Sequence, residues 1–272
     1  MRRAATAAAL IFLTASAAAA QPAAPAAGPA AGEAPPILRD IGWDQRPGQG
    51  VPLDVEVRDE EGRPRRLADY FGRRPVVLSL VYYECPMLCT LTLNGLTAAL
   101  ERSSFVPGRE FELVTLSFDA RETPPLAAAK KNAHLKKYGR PEAAAGWHFL
   151  TAGAPAIQAL TKAVGFRYAW DEASRQFAHP SGLVVLTPDG RIARYLYGVE
   201  YSPKDLRLAV VEAAEGRIGT AVDRVALFCY RYDALRGRYS LMVVNLVRAA
   251  ALVTVVGMAA LIVTLRRRER AR

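Results

Sequence analysis

Hydrophobic and polar positions along the chain follow two periods, which together predict an α/β fold. Nearly continuous apolar runs predict strands buried on both faces at 75–82 and 111–118. Shorter strands are predicted at 53–57, 147–150, 183–186 and 191–197. Helical spacing of apolar residues predicts helices at 90–100, 125–138, 154–164 and 203–214, after a helical turn at 67–71. This order of elements predicts an α/β sandwich built on a mixed sheet.

The N-terminal 20 residues are typical of a secretory signal peptide. Two arginines, Arg2 and Arg3, precede an apolar segment at 8–15, and alanines at 18–20 provide a cleavage site. An uncleaved anchor is the alternative, although the apolar segment is short for a membrane span. Residues 21–44 form an Ala/Pro-rich linker and lead-in that cannot bury a core of its own.

The C-terminus carries a second membrane signal, from Leu241 to Leu265, in which Arg248 is the single charged residue. At about 1.5 Å per residue, a helix of this length spans the bilayer. The basic tail, 266–272, follows directly, so the positive-inside rule places it in the cytoplasm. We therefore expect a single-pass protein of the bacterial inner membrane, with a periplasmic domain and a juxtamembrane segment at 216–240. A buried core helix is the alternative at 241–265.

The formal net charge of +10 does not indicate a nucleic-acid-binding protein. Seven of these charges come from Arg2, Arg3, Arg248 and the tail, so the remainder of the chain is nearly neutral. With three cysteines in 272 residues, the chain is not a disulfide-dense scaffold.

The most informative motif places Cys85 and Cys89 at the junction of a buried strand and a helix. A helix N-terminus favours the thiolate form, and spacing i, i+4 puts both sulfurs on one face of the first turn. The pair is compatible with a disulfide or with a shared copper(I), zinc or mercury ion. A purely structural pair of cysteines is the alternative.

A copper site usually has a third ligand, and the chain offers three histidines for this role: His134, His148 and His179. His134 lies on a lysine-rich helix, which favours a solvated surface position. His148 lies in a short apolar strand, which favours a hydrogen-bonded structural role. His179 lies in a loop that enters a sheet, where ligands can be presented, and spacing alone leaves its role open.

A resemblance to a known family is carried by the segments 76–89, 117–119, 123–124, 147–151, His179 and 186–190. Over residues 45–215 the chain resembles the SCO/SenC family, copper-binding thioredoxin-like proteins of cytochrome c oxidase assembly. It implies a thioredoxin-like domain in which Cys85, Cys89 and His179 bind copper.

The resemblance also implies a function. The protein would be a membrane-anchored copper metallochaperone, rather than an enzyme, that assembles the binuclear copper centre of the oxidase. Its partner would be the copper-centre subunit of cytochrome c oxidase, with periplasmic copper carriers or thiol reductants as further partners. The alternative function is a thiol–disulfide oxidoreductase that uses Cys85 and Cys89 to reduce the cysteines of that copper site. The C-x-x-x-C spacing differs from the usual C-x-x-C of such enzymes.

Some features depart from the family pattern or stay open. Met87, Leu88 and Thr90 replace an acidic residue, a Val and a second Pro that are common in family loops. The anchor is expected at the C-terminus, whereas family members are commonly anchored at the N-terminus. Asp119 matches a family motif, and we interpret it as a loop cap. Cys229 is interpreted as a buried thiol, with exchange with Cys85–Cys89 or a partner as the alternative.

Overall fold

The computed structural model describes residues 36–85, 88–219, 232–233, 238–239 and 241–270. The predicted signal peptide, most of the Ala/Pro-rich linker and Cys229 lie outside these ranges, and so do two residues of the cysteine motif, Pro86 and Met87. The predictions made for these segments stay predictions.

The described strands are β1 (Gly42–Trp43), β2 (Glu56–Arg58), β3 (Pro64–Arg66), β4 (Val76–Val81), β5 (Glu112–Ser117), β6 (Trp147–Leu150), β7 (Phe166–Arg167), β8 (Ala169–Asp171), β9 (Gln176–Ala178), β10 (Gly182–Leu186), β11 (Ile192–Tyr197), β12 (Tyr232–Asp233) and β13 (Arg238–Tyr239). The described α-helices are α1 (Leu88–Glu101), α2 (Pro124–Tyr138), α3 (Ala154–Ala163), α4 (Pro203–Ala214) and α5 (Leu241–Arg270). Short 3-10 helices occur at Pro36–Arg39, Leu67–Tyr70 and Pro141–Ala145.

A five-stranded mixed sheet in the order β11-β10-β4-β5-β6 forms the centre of the fold. The strands β4, β5 and β6 are parallel, whereas β10 is antiparallel to both β4 and β11. Every residue of β4 is buried, as the nearly continuous apolar run at 75–82 predicted. Every residue of β10 is buried as well. The predicted α/β fold with a mixed sheet is thereby confirmed.

The helices cover the sheet in an order that follows from the strand connections. Helix α1 links β4 to β5 and α2 links β5 to β6, and these two helices pack against each other. Helix α4 follows β11 and packs on β10 and β11 as well as on α1. The start of α1 therefore lies at the carboxyl ends of the parallel strands, where α/β sheets present functional groups.

Two local features differ from the sequence-based predictions. The strand predicted at 53–57 is reduced to β2, because the carbonyl groups of Leu53 and Val55 accept hydrogen bonds from Ala68 and Leu67 in a 3-10 helix. The hairpin of β8 and β9 was not predicted, since each of its strands has only three residues. This hairpin leads directly into His179.

Helix α5 covers the predicted transmembrane segment. Among the helices that the structure describes, none has the combination of length and apolar character that crossing a bilayer demands. The transmembrane assignment of 241–265 stays a prediction.

Candidate metal centre

The candidate centre begins where the chain leaves β4 and enters α1. The N–H group of Cys85 donates to the carbonyl oxygen of Tyr82 across 3.3 Å, in a turn that precedes the helix. Cys89 lies in the first turn of α1. Cys85 lies between the end of β4 and the start of α1 and is not helical. The expectation that both cysteines belong to the first turn of the helix is therefore wrong for Cys85. No disulfide joins the two cysteines.

The two sulfur atoms are held by backbone N–H groups. The N–H of Cys89 donates to the Sγ atom of Cys85 across 3.3 Å, so the Cys85 side chain caps the N-terminus of α1. The N–H of Tyr82 donates to the Sγ atom of Cys89, also across 3.3 Å. Each sulfur therefore has a fixed position before any ion arrives.

His179, in the short loop between β9 and β10, completes the group. Its Nε2 atom lies 3.2 Å from the Sγ atom of Cys89, and its Nδ1 atom lies 3.0 Å from the carbonyl oxygen of Pro180. A carbonyl oxygen only accepts hydrogen bonds, so Nδ1 carries the proton and Nε2 presents its lone pair to Cys89. This tautomer is the one that a metal ligand needs, with its second nitrogen fixed by a backbone carbonyl.

The structure thus brings together the three residues that the sequence selected. One ligand atom from each of Cys85, Cys89 and His179 lies within 4.8 Å of the others, and no other such group of three occurs among the residues described. All three are buried, with 6% or less of each exposed. Two sulfurs and one imidazole nitrogen at this spacing suit a soft or borderline ion.

Burial reverses one electrostatic expectation. Desolvation raises the pKa of the Cys89 thiol far above its usual range, and the hydrogen bond with Cys85 adds to this rise. The expected lowering of the thiol pKa by the helix N-terminus is therefore wrong for Cys89, because the apolar surroundings outweigh the helix dipole. A thiol of this kind loses its proton when a metal cation binds, since the ion supplies the missing positive charge.

Aromatic rings enclose the histidine. The ring of Phe118 meets the His179 ring at 5.2 Å between centroids, and those of Tyr82 and Phe166 meet it at 5.9 and 6.2 Å. Phe177 packs against both Tyr82 and Phe118 at 5.6 Å. The centre therefore has an apolar wall, within which His179 is buried.

Glu122 is a residue of the site that the sequence analysis missed. Its carboxylate accepts hydrogen bonds of 2.7 Å from the N–H groups of Tyr83 and Glu84, and one of 2.5 Å from the hydroxyl of Ser117. Burial raises the pKa of Glu122. The signal that could have found it is its place just after β5, because the carboxyl ends of parallel neighbours meet at one edge of a sheet.

Asp119 caps its own loop, as predicted. One of its carboxylate oxygens accepts from the N–H of Arg121 at 3.0 Å, and the Arg121 guanidinium binds both oxygens. The same guanidinium lies over the ring of Trp170, 4.9 Å from its centroid. These side chains form one wall of a cleft of about 490 Å³ beside Tyr82.

The other two histidines do not belong to the centre. His148 lies 3.3 Å from a carboxylate oxygen of Glu112 and packs on Tyr70, which confirms its structural role. The prediction of a solvated His134 is wrong: its ring is buried between α2 and the sheet, where it stacks on Phe149. Burial, followed by the charges of nearby lysines, lowers the pKa of His134 to about 4.

Comparison with known proteins yields matches among solved structures. An electron transfer protein of Aquifex aeolicus, provisionally assigned to that role, is 28% identical and matches 64% of this chain and 97% of its own, with a TM-score of 0.55. Copper-bound ScoI of Arabidopsis thaliana is 19% identical and matches 61% and 98% of the two chains, with a TM-score of 0.47. A SCO1/SenC family lipoprotein of Bacillus anthracis is 17% identical and matches 63% and 95%, with a TM-score of 0.46.

Neither a scan against protein-family models nor a search of curated proteins found a match. The solved structures that this chain resembles include members of the SCO/SenC family, the family that its sequence motifs indicate.

Proposed function

We propose that this protein is a copper metallochaperone, in which Cys85, Cys89 and His179 hold the copper ion that is its cargo. The observation that carries the proposal is the convergence of two sulfurs and one imidazole nitrogen within 4.8 Å. Two thiolates and an imidazole can hold copper(I) in trigonal geometry and also accept copper(II). The SCO/SenC resemblance of the sequence supports copper over zinc.

The recipient we propose is the binuclear copper centre of cytochrome c oxidase, with the copper-centre subunit of the oxidase as partner. Transfer by ligand exchange requires ligands that can leave one at a time. Cys85 suits the first exchange, since it precedes α1 and is 6% exposed, whereas Cys89 lies within the helix and is 2% exposed.

We further propose, from the sequence of the segment 241–265, that this segment anchors the protein in the inner membrane, with the domain at 45–215 on the periplasmic side. Support comes from the exposed apolar side chains of helix α5, which include Leu252 and Val253, about 70% exposed. Arginines at 266–268 follow at its C-terminal end, as the positive-inside rule requires for a cytoplasmic tail.

A second candidate function is thiol–disulfide exchange with the cysteines of the oxidase copper site. It is favoured by the closeness of the two sulfurs, which allows the Cys85–Cys89 dithiol to close into a disulfide while a partner disulfide is reduced. Two electrons and two protons then pass to the partner. This activity needs neither a metal nor His179.

Metal analysis of the reduced full-length protein, purified in detergent without oxygen, tests the first function. We expect about one copper per chain, because the three ligands form one site. The double variant Cys85→Ser, Cys89→Ser should take up none at that site. Undiminished copper uptake by this variant would overturn the assignment of the site.

A further inference from the structure

The loop at 198–201, which follows β11, lies directly against α1, the helix that carries Cys89. The contact point is Gly95: a Cβ atom there would lie 1.8 Å from the carbonyl oxygen of Val199 and 2.9 Å from its carbonyl carbon. Carbon and oxygen atoms in contact are about 3.3–3.6 Å apart, so no side chain fits between these two backbones. Glycine is therefore required at this position if α1 is to lie this close to the loop.

The same loop is joined to the segment that carries His179. The N–H group of Gly198 donates to the carbonyl oxygen of Ser181 across 3.3 Å, and Ser181 lies two residues after His179. The hydroxyl group of Tyr201, a buried residue, donates to the carbonyl oxygen of Gly198 across 2.7 Å. The loop is therefore fixed against the segment that precedes β10.

These contacts form a closed path through the candidate metal centre. Gly95 lies six residues after Cys89 in α1, and the loop connects Gly95 to the segment of His179. The 3.2 Å contact between the Nε2 atom of His179 and the Sγ atom of Cys89 closes the path. Cys85 is held separately, because its sulfur accepts the N–H group of Cys89. Moving the loop away from α1 therefore separates the imidazole from the sulfurs and leaves the two sulfurs together.

We propose that Gly95 is a positioning residue of this centre, because its lack of a side chain lets the loop at 198–201 hold His179 beside Cys89. A methyl group at position 95 would push α1 and the loop apart by roughly 1.5 Å, and His179 would move with the loop. The consequence for metal binding rests on the proposed copper function. The consequence for the contact between His179 and Cys89 concerns the metal-free protein and stands independently of that function.

The variant Gly95→Ala tests the proposal, and Gly146→Ala is its matched control. A Cβ atom at Gly146 would lie 1.9 Å from the backbone nitrogen of Gly108, so both variants insert a methyl group against a backbone. Gly146 directly precedes β6, at the end of the parallel strands opposite the centre. Both variants should lose stability in denaturant unfolding, whereas only Gly95→Ala should alter the centre.

Copper affinities are measured on the reduced full-length protein by competition with a chelator. For Gly95→Ala we expect the copper(II) dissociation constant to rise about tenfold, as is typical of changes outside the ligand set, and the copper(I) constant to rise less. The reason is that two sulfurs suffice for copper(I), whereas copper(II) prefers further nitrogen or oxygen donors. Gly146→Ala should bind both ions as the wild type does.

The metal-free readout is the nitrogen magnetic resonance of the His179 Nε2 atom, in protein that contains isotope-labelled histidine. The variant His179→Ala identifies this resonance among those of the three histidines. In the wild type the Nε2 lone pair faces the sulfur of Cys89 at 3.2 Å, which gives the resonance of a hydrogen-bonded nitrogen. In Gly95→Ala the resonance should shift toward that of an imidazole without this bond, and in Gly146→Ala it should stay in place.

Tyr201→Phe is a milder variant of the same path, for use if near-UV circular dichroism shows that Gly95→Ala does not fold. It removes the hydroxyl bond to Gly198 and keeps the aromatic ring. Tyr195→Phe is its control, since the hydroxyl of Tyr195 donates to the carbonyl oxygen of Val164. Tyr201→Phe should shift the Nε2 resonance in the same direction and raise the copper(II) dissociation constant about threefold, as the loss of one modest hydrogen bond implies. Tyr195→Phe should change neither.

The outcomes are distinct. An unchanged Nε2 resonance in folded Gly95→Ala, or an equal shift in Gly146→Ala, overturns the inference, and so does an unchanged resonance in Tyr201→Phe if Gly95→Ala does not fold. A wild-type protein that binds no copper, together with a shifted resonance in Gly95→Ala alone, contradicts the proposed function and supports the inference. A shifted resonance with unchanged copper(II) affinity overturns the part that concerns copper.

Discussion

The Nε2 atom of His179 lies 3.2 Å from the Sγ atom of Cys89, although 90 residues separate them in the sequence. The contact exists because β10 is antiparallel to β4 and adjacent to it in the sheet. The start of β10 therefore lies beside the end of β4, and the loop before β10 brings its histidine to the start of α1.

The first prediction concerns this histidine. His179→Ala leaves two sulfurs, which suffice for copper(I) but not for copper(II), an ion that prefers further nitrogen or oxygen donors. The copper(II) affinity should fall by more than the roughly 10–100-fold typical of outer-shell changes, and more than the copper(I) affinity. The sulfur-to-copper charge-transfer band of the copper(II) form should shift or vanish, whereas thiol exchange should persist.

His148→Ala is the control for that experiment. It removes a ring that lies 3.3 Å from Glu112 and packs on Tyr70, so the free energy of unfolding should fall by about 1–2 kcal/mol. Its copper stoichiometry and charge-transfer band should match those of the wild type. If the band changes in His148→Ala and not in His179→Ala, the wrong histidine has been assigned.

The second prediction concerns Glu122. In Glu122→Gln, the amide oxygen can accept only part of the hydrogen bonds that the carboxylate accepts, so a backbone N–H of Tyr83 or Glu84 loses its partner. Denaturant unfolding of the metal-free protein should show a loss of about 1–3 kcal/mol. Glu84→Gln is the matched control, since the Glu84 side chain is exposed and should change stability little. Equal stability of both variants would contradict the role assigned to Glu122.

The third prediction is a pH dependence of stability that comes from His134. Burial lowers its pKa from 6.5 to about 4 in the folded protein, so between these values the unfolded chain binds more protons. The stabilising contribution of the neutral ring is complete above pH 6.5 and is lost as the pH falls toward 4, by up to roughly 3 kcal/mol.

The variant His134→Phe isolates this contribution. Phenylalanine keeps an aromatic ring against Phe149 but has no titrating group, and Thr97 retains its 2.7 Å hydrogen bond to the carbonyl oxygen of Leu93. Unfolding free energies of the metal-free proteins are compared at pH 7.5 and pH 4.5. The wild type should lose more stability between these values than the variant does. Parallel losses would show that His134 does not titrate in this window.

The fourth prediction concerns topology. Protease added to spheroplasts should digest the domain at 45–215 and spare the tail at 266–272, because the tail is expected in the cytoplasm. Lysed spheroplasts, in which both segments are accessible, serve as the control. Protection of the domain in intact spheroplasts would contradict a periplasmic location.

The sequence by itself determined the main elements of the sheet. Residues 76–81 form an apolar run that only Ser79 interrupts, and such a run is typical of a strand covered on both faces. The helix predicted at 203–214 coincides with α4. Its start is predictable from local sequence, because Ser202 is the N-cap and Pro203 is the first helical residue. The cysteine pair was also identifiable, since it directly follows a predicted strand.

Only the tertiary structure decided which distant groups meet at that pair. The contact of His179 with Cys89, the hydrogen bonds from Tyr83 and Glu84 to Glu122, and the burial of His134 all depend on which strands are neighbours. Strand order is set by packing over the whole domain, and no local period encodes it. Sequence patterns therefore predicted the elements and the sulfurs, whereas the packing of the sheet placed the imidazole and the carboxylate around them.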